Sequence, residues 1–381
     1  MNKQKGYCDR SYSSERREDP DEKEARRPEL SIIVCAFNEE ERIAACIESL
    51  LTQNYDRKIF EIIIMDNESS DQTPVIAQKM VAKYSSILSI RYFRIKHVGL
   101  STSRNTGISY ARGKIIAFID ADARAESSWI AHILDPFEKD EKVFAVAGRV
   151  ANLNDESLFA KFIYWAHFRA GVESRKNEAL GALTGANMAF RKDVFAAGYG
   201  FYDAFASYGD ETTAALRYFE AHPSKKVANS FDAIVFNEHP ERFTKWLKQR
   251  YFQGRMQAII AFNVSLRVVK VHLALKIGLK ALGVLAYPSL FAQLVFGFSL
   301  IWISPFLLPL ILGLYSRRHY VFQAFRHVTM KFDKRLGLLG VAVVIIGHIF
   351  SDAGFVKEGF LGLLGKRVNL NCCVSETIIS S

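Results

Sequence analysis

The sequence predicts an α/β domain with a Rossmann-like, mostly parallel sheet, followed by C-terminal interfacial and transmembrane helices. Between residues 30 and 240, short apolar runs alternate with amphipathic stretches, which is the order of β-α-β units. The chain then becomes strongly apolar, because residues 281–316 include no Asp, Glu, Lys or Arg over 36 positions. A length of 381 residues accommodates both parts.

Four apolar runs are predicted to be strands buried on both faces, because each is continuous rather than alternating. They are residues 31–34, 61–65, 115–119 and 143–146. The segments 40–51 and 73–84 carry apolar residues at helical spacing and are predicted to be helices between the strands. Ligands of such folds bind beyond the carboxyl ends of the strands. The polar loops that follow the strands, including residues 38–40 and 66–71, are therefore candidate site segments.

The third predicted strand ends at Asp120 and Asp122, two acids one residue apart. Residues i and i+2 of a strand project to the same side, so both carboxylates can lie together. Carboxylate oxygens suit Mg²⁺ or Mn²⁺, and Mg²⁺ in proteins is often shared between one or two carboxylates and substrate phosphates. The pair predicts a divalent-metal site and a nucleotide-diphosphate substrate. The alternative is a solvated Asp turn at the end of a strand.

Residues 1–29 form a charged tail with eight Lys/Arg, eight Asp/Glu and almost no large aliphatic side chains. Such a segment cannot bury enough apolar surface to order itself, so it is predicted to be disordered. It lacks the apolar core of a secretory signal, and we therefore expect the domain that follows to stay in the cytoplasm. The five cysteines show no metal-ligand or disulfide spacing, which fits a reducing compartment.

The excess positive charge of this chain, +10 in total, is concentrated beside its apolar region. Residues 241–280 carry nine Lys/Arg and one acid, which predicts basic amphipathic helices that contact anionic membrane lipids, and no nucleic-acid partner is expected. A spanning helix needs about 20 apolar residues, so residues 281–316 predict a hairpin and residues 336–356 a third segment. Residues 357–381 are then a C-terminal tail. We expect a multi-pass protein of the cell membrane with its α/β domain in the cytoplasm.

Several motifs of this chain, taken in order, resemble those of the family 2 glycosyltransferases, which have the GT-A fold. The matching segments are VCAFNEE at 34–40, IMDNESSDQT at 64–73, GLSTSRNTG at 99–107 and TGANMAFR at 184–191. Cys35 departs from the pattern, because a proline is usual at its position. The resemblance covers residues 31–256 and implies a GT-A catalytic domain over residues 30–240.

The resemblance implies a role for each matching residue. The residues implied to bind the nucleotide sugar are Ala36, Asn38, Glu39, Asp66, Ser69, Arg104, Asp120 and Ala121. Among them Asp66 would lie against the nucleobase and Arg104 near the diphosphate. Asp120 and Asp122 would hold Mg²⁺ or Mn²⁺. The residues implied on the acceptor side are Gly185, Asn187, His239 and Arg255.

The segment 207–217 resembles the Gly-Glu-Asp helix start that supplies the catalytic base in this family, although the two acids are transposed here. Glu211 matches the base by position and Asp210 matches it by residue type. Either acid could accept the proton of a hydroxyl acceptor. The alternative is that both are helix N-terminal acids stabilised by the helix dipole.

Together these features predict an inverting, metal-dependent glycosyltransferase. It would move one sugar from a nucleotide-diphosphate sugar, with a uridine diphosphate sugar as the expected donor, to a lipid-linked or cell-envelope glycan. Single addition is expected because residues 253–256 (QGRM) do not reproduce the Gln-x-x-Arg-Trp motif of processive members. One alternative is a polyprenyl-phosphate glycosyl synthase with a lipid phosphate acceptor. Other classes are a non-catalytic membrane scaffold and an Asp-x-Asp phosphatase, although Arg124 stands where that phosphatase motif expects Thr or Val.

Overall fold

The structure is a computed structural model, and it describes most of the N-terminal two thirds of the chain. The described residues are 28–96, 99–154, 156–169, 183–201, 210–264, 322, 326, 343, 345–353 and 355–357. The predicted tail over residues 1–29 and the predicted hairpin over 281–316 lie outside them, apart from residues 28 and 29.

Eight strands form a single sheet with helices between them. The strands are β1 Leu30–Ala36, β2 Phe60–Asp66, β3 Ser89–Arg94, β4 Ile115–Asp120, β5 Arg124–Ala125, β6 Val143–Asn152, β7 Asn187–Arg191 and β8 Lys226–Asn237. The helices are α1 Ile43–Leu51, α2 Thr73–Tyr84, α3 Leu100–Tyr110, α4 Trp129–Lys139, α5 Leu158–Ile163, α6 Lys192–Ala196, α7 Asp210–Ala221 and α8 Phe243–Val264. A π-helix over Tyr164–Arg169 continues α5.

The strand order is β3-β2-β1-β4-β7-β6-β8-β5. The first four strands run parallel, as predicted from their continuous apolar runs. Strand β7 is antiparallel to both β4 and β6, while β8 runs parallel to β6 and antiparallel to β5. The α/β class and the mostly parallel sheet are therefore confirmed. The carboxyl ends of β1, β2 and β4 lie along one edge of the sheet.

The sheet separates two apolar cores, and successive residues of β1 serve them alternately. Ile32 and Val34 belong to the core that includes α1, α2 and α4, whereas Ile33 belongs to the core that includes α6 and α7. This alternation follows from the two-residue period of a strand. Each fully buried isoleucine contributes about 1.5–3 kcal/mol relative to an exposed one. The two cores therefore hold the edge of the sheet rigidly, which is where the polar loops meet.

The multi-pass membrane localisation expected from the sequence is corrected by the structure. Among the helices of the described ranges, none combines the length and the apolarity needed to cross a bilayer. The longest of them, α8, has 22 residues, but Lys245, Lys248 and Arg250 interrupt its apolar surface.

Described parts of the predicted third segment show where some of its apolar side chains go. Val343 belongs to one buried cluster with Trp246 of α8, which is fully buried, and the partly buried Ile346 packs against this cluster. Gly347 also lies against this ring, because a Cβ added there would stand 2.7 Å from the Trp246 side chain. Val343 is thus buried against the protein itself, whereas Phe350 of the same segment is 38% exposed.

Candidate active site

The loops that follow β1 and β2 are joined by hydrogen bonds between their polar residues. The backbone N–H of Asn38 donates to Ser69 Oγ at 3.0 Å, and the backbone N–H of Ser70 donates to Asn38 Oδ1 at 2.8 Å. The backbone N–H of Glu39 donates to Thr73 Oγ1 at 2.7 Å. Asn38 has a φ of 54°, a left-handed conformation that asparagine tolerates better than most residues. The structure thus brings Asn38, Glu39 and Ser69 into one polar wall.

Asp120 and Asp122 lie beside this wall, at the end of β4. Cys35 of β1 is the register partner of Asp120, so the aspartate pair follows directly from the pairing of these strands. Burial and the charge of Asp120 raise the pKa of Asp122 to about 6. Burial and the charge of Asp122 raise the pKa of Glu39 to about 7, with a smaller contribution from Asp120. Three carboxyl groups from two strand ends therefore form one electrostatically linked cluster, the carboxylate cluster.

Arg42, which sequence reasoning did not single out, partly balances the carboxylate cluster. Its Nε donates to Glu39 Oε2 at 2.9 Å, and its Nη1 donates to Glu238 Oε2 at 3.2 Å. Its positive charge also lowers the pKa values of Glu39 and Asp122 relative to burial alone. Arg42 precedes α1, where no periodic pattern marks it, and only the pairing of distant segments brings Glu238 to it.

Arg104 approaches the carboxylate cluster from the interior. It lies on α3, is only 3% exposed, and places Nη2 3.6 Å from Asp120 Oδ1. Its guanidinium lies over the ring of Phe201, with 5.7 Å between Cζ and the ring centroid. A Cβ at Gly185 would stand 2.0 Å from Nη2. The structure therefore brings together Arg104, Asp120 and Gly185, although the sequence assigned Gly185 to the acceptor side.

The carboxylate cluster fits a divalent cation by its chemistry. Carboxylate oxygens are hard ligands, and Mg²⁺ is commonly held by one or two protein carboxylates while phosphate oxygens and water complete its coordination. Asp122 and Glu39 both have raised pKa values, in part because neighbouring negative charge is not fully balanced. No group of three or more metal-ligating side chains arranged to hold an ion occurs among the described residues. The assignment of the cation to Asp120 and Asp122 stays a prediction.

Asp66, the residue implied to meet the nucleobase, is fully buried at the end of β2. Its Oδ1 accepts the backbone N–H of Ser69 at 3.0 Å, and its Oδ2 accepts the hydroxyl of Tyr92 at 2.6 Å. Arg94 lies 3.8 Å from the same Oδ2, donates to Ser69 O at 3.0 Å, and has a side chain that is 52% exposed. Of this pair, Arg94 is the exposed side chain and Asp66 is the buried one.

Ala36 and Ala121, which are also implied to bind the nucleotide sugar, lie along the same edge of the sheet. Ala36 is buried, pairs with Asp66 across β1 and β2, and accepts the backbone N–H of Asn67 at 2.9 Å. Ala121 is buried between the two aspartates. Small side chains at both positions let the backbone of the strand ends lie close to the site.

The implied acceptor residues lie on different elements of the fold. Asn187 is fully buried in β7. Its side-chain oxygen accepts a hydrogen bond from Trp129 Nε1 at 2.9 Å, and its side-chain nitrogen donates to Arg149 O at 2.9 Å and to Ala233 O at 2.8 Å. His239 is buried with its ring stacked on Tyr164, at 5.4 Å between centroids. Burial lowers the pKa of His239 to about 4, so its ring is neutral at physiological pH.

Arg255 is buried on α8 with its guanidinium over the ring of Phe252, at 5.4 Å from the centroid. The candidate base residues stand at the start of α7, where Glu211 is half-buried. The side chain of Asp210 lies outside what the structure describes. A role for Asp210 or Glu211 as the base therefore stays a prediction.

Comparison with known proteins identifies matching families over most of the chain. The profile of Glycosyl transferase family 2 matches residues 31–198. The profile of Glycosyl transferase family group 2 matches residues 115–316, which is more than half of the chain.

Curated relatives match over part of their length. The chain is 35% identical over 132 residues to a beta-monoglucosyldiacylglycerol synthase of Trichormus variabilis, which covers 35% of this chain and 28% of the relative. It is 27% identical over 176 residues to a glucosyl-dolichyl phosphate glucuronosyltransferase of Haloferax volcanii, covering 44% and 53% of the two chains.

Among solved structures, a mannosyltransferase from Pyrobaculum calidifontis in complex with GDP-Man and Mn²⁺ has a TM-score of 0.54. The match covers 85% of this chain and 87% of that one, at 18% sequence identity. At this identity the likeness concerns the fold alone, and it supports a GT-A-like α/β domain.

Proposed function

Because this chain belongs to the family 2 glycosyltransferases, we propose that it transfers a single sugar, with inversion, from a nucleotide-diphosphate sugar in the presence of Mg²⁺ or Mn²⁺. The observation that carries this proposal is the carboxylate cluster, in which Asp120 and Asp122 lie beside Glu39 with raised pKa values. Family membership also makes the chain an enzyme, so the scaffold and phosphatase interpretations are dropped.

The donor side of the reaction is assigned to residues at the ends of β1, β2 and β4. Asp120 and Asp122 would hold the cation, which when bound supplies positive charge that stabilises the departing diphosphate. Arg104, at 3.6 Å from Asp120, orients that carboxylate and adds fixed positive charge beside it. Charge that is already in place when the bond breaks is the most effective kind of electrostatic stabilisation. We propose a uridine diphosphate sugar as the donor.

The residues proposed for the acceptor side are those that could take up the proton that the acceptor hydroxyl loses. The acceptor oxygen forms a bond to the anomeric carbon, the bond from that carbon to the diphosphate breaks, and one displacement inverts the configuration. The hydroxyl proton passes to a carboxylate, for which Asp210 and Glu211 are the candidates. We propose a lipid-linked or cell-envelope glycan as the acceptor, a choice supported by the glycosylated lipids in the names of two relatives.

A second candidate is transfer to a lipid phosphate, the reaction of a polyprenyl-phosphate glycosyl synthase. The relative named as a glucosyl-dolichyl phosphate glucuronosyltransferase has a polyprenyl phosphate in its name, but that phosphate already carries a glucosyl group, so the name alone does not favour a phosphate acceptor. A phosphate acceptor is already ionised at neutral pH, so Asp210 and Glu211 would matter little to its reactivity.

The proposed function is tested by incubating purified protein with a panel of nucleotide sugars, Mn²⁺ and a membrane lipid extract. We expect one donor to release its nucleoside diphosphate and label a lipid, with opposite anomeric configurations in donor and product by NMR. The matched controls are Asp120→Asn and Asp122→Asn. Failure to transfer from any donor, or transfer unaffected by removal of the cation, contradicts the proposal.

A further inference from the structure

Asn237, the last residue of β8, contacts the carboxylate cluster although sequence reasoning assigned it no role. Its Nδ2 donates to Asp122 Oδ1 at 3.3 Å. Its Oδ1 accepts the backbone N–H of Glu238 at 2.7 Å. This second bond establishes which end of the amide carries the nitrogen, an assignment that otherwise depends on the hydrogen-bond network. The amide therefore presents a donor, and not an acceptor, to the carboxylate of Asp122.

The backbone around Asn237 is fixed on both sides. Its carbonyl accepts the backbone N–H of Leu153 at 2.9 Å, and the residue pairs with Asn152 of β6. Directly after it, Glu238 Oε2 accepts a hydrogen bond from Arg42 Nη1 at 3.2 Å. One residue further, His239 is bonded through its backbone N–H and its carbonyl to the side chain of Asn154, both at 3.0 Å. The amide of Asn237 is thus positioned against Asp122 by a backbone that is hydrogen-bonded on both sides.

The two aspartates of the cluster have partners of different charge. Asp120 lies 3.6 Å from a guanidinium, which balances its charge. Asp122 receives its hydrogen bond from a neutral amide, which restricts rotation of the carboxylate, while the positive charge of Arg42 acts on Asp122 only through space and is shared with Glu39 and Glu238. A carboxylate that is oriented but remains negatively charged is well suited to hold a cation. Partners of this kind, which hydrogen-bond a metal ligand rather than the metal, tune cation affinity in many proteins.

We propose that Asn237 is a positioning residue that orients Asp122 for divalent-cation binding. The inference rests on the proposed metal-dependent function, because Asp122 is the intended ligand. It predicts that loss of the amide weakens cation binding even when the fold is intact. If Asn237 had only a structural role, its substitution would instead lower the melting temperature, and properties that do not depend on the cation would change as much as cation binding does.

The test is a Mn²⁺ titration of the full chain with saturating uridine diphosphate, followed by the paramagnetic signal of free Mn²⁺. Asn237→Ala removes the amide, and Asn237→Leu preserves its volume should the alanine variant fold poorly. We expect both to weaken Mn²⁺ binding by about 10- to 100-fold, with melting temperatures close to that of the unchanged protein. Asn154→Ala is the matched control, because it removes an amide that holds the same segment but bonds His239 and Glu241 rather than Asp122.

Each result decides the inference. Unchanged Mn²⁺ affinity in a folded Asn237 variant overturns it, as does an equal loss in Asn154→Ala, because the segment and not the amide would then matter. If the unchanged protein itself binds no Mn²⁺, the proposed metal dependence fails, and the inference fails with it. A loss that is confined to the Asn237 variants supports the positioning role.

Discussion

The guanidinium of Arg104 lies directly against the α-carbon of Gly185, in a space where any side chain would collide with it. A Cβ at position 185 would stand 2.0 Å from Nη2 and 2.8 Å from Cζ of Arg104. Because Arg104 is only 3% exposed and is also packed over Phe201, the guanidinium has little room to move away. The absence of a side chain at Gly185 is therefore what allows this positive charge to reach Asp120.

Gly185→Ala is expected to displace Arg104 and lower the catalytic efficiency with the nucleotide sugar by at least about tenfold, since misplacement by roughly 1 Å can cost 10²-fold in rate. Overpacking should also lower the free energy of unfolding by about 1–3 kcal/mol. Steady-state kinetics and urea unfolding measure the two effects. Gly200→Ala is the control, because its Cβ would meet Asn105 Oδ1 at a milder 3.1 Å. Equal kinetics in Gly185→Ala and the unchanged protein would contradict the assignment.

The stability of the protein is expected to depend on pH through Glu39. Its pKa rises from 4.5 to about 7 on folding, mainly because of burial and then because of Asp122. An acid with a raised pKa binds its proton more tightly in the folded state, so the free energy of unfolding falls as pH rises from about 4.5 to about 7. Glu39→Gln removes this ionisation, and its melting temperature should exceed that of the unchanged protein by a margin that grows up to pH 8.

Glu126→Gln is the control with the opposite sign. Hydrogen bonds from Ser128 hold the pKa of Glu126 below its usual value, so its ionised form stabilises the folded state. Its removal should therefore lower the melting temperature above pH 4.5 and have little effect at lower pH. A margin for Glu39→Gln that does not change with pH would show that Glu39 ionises normally.

Tyr92→Phe is expected to destabilise the fold through Asp66. The hydroxyl of Tyr92 donates to the buried Asp66 at 2.6 Å, and the variant leaves that carboxylate oxygen without this donor. Loss of a buried hydrogen bond to a charged group costs about 1.5–3 kcal/mol, which urea unfolding can measure. Tyr55→Phe, a change at the edge of the same core, should cost less. The idea fails if the two variants unfold at the same urea concentration.

The chemistry of the acceptor can be determined by substituting both candidate base residues. With a hydroxyl acceptor, Asp210→Ala combined with Glu211→Ala should lower kcat by about 10²- to 10⁴-fold, which is the usual contribution of general base catalysis. With a lipid phosphate acceptor, turnover should be nearly unchanged. Single-turnover transfer to extracted lipid distinguishes these outcomes, and retained Mn²⁺ binding shows that the donor site remains intact.

The sequence was sufficient for the features that depend on local pattern. The four predicted strands all lie within observed strands, and α2 spans the predicted residues 73–84. Continuous apolar runs and helical spacing are properties of neighbouring residues, so no knowledge of pairing was needed. The end of β4 at Asp120 was predictable for the same reason, whereas Asp122 lies in the turn that follows, so the strand alternation used to predict a shared side for the two carboxylates does not extend to it.

Features that depend on long-range pairing were missed. Strand β7 is short, and its place between β4 and β6 depends on pairs such as Ile119 with Asn187. That pairing buries Asn187, for which an acceptor-side role stays a prediction. Tyr92 reaches Asp66 only because β3 pairs with β2. Asn237 likewise reaches Asp122 from a strand more than a hundred residues later.

The most direct test of the central claim is calorimetric binding of nucleotide-diphosphate sugars to the purified protein, with and without Mn²⁺. The account predicts that at least one such sugar binds in the presence of Mn²⁺, and that Asp120→Asn combined with Asp122→Asn abolishes this metal-dependent binding while the protein remains folded. Binding that is equally strong in the double variant, or no binding of any nucleotide sugar by the folded protein, would contradict the account.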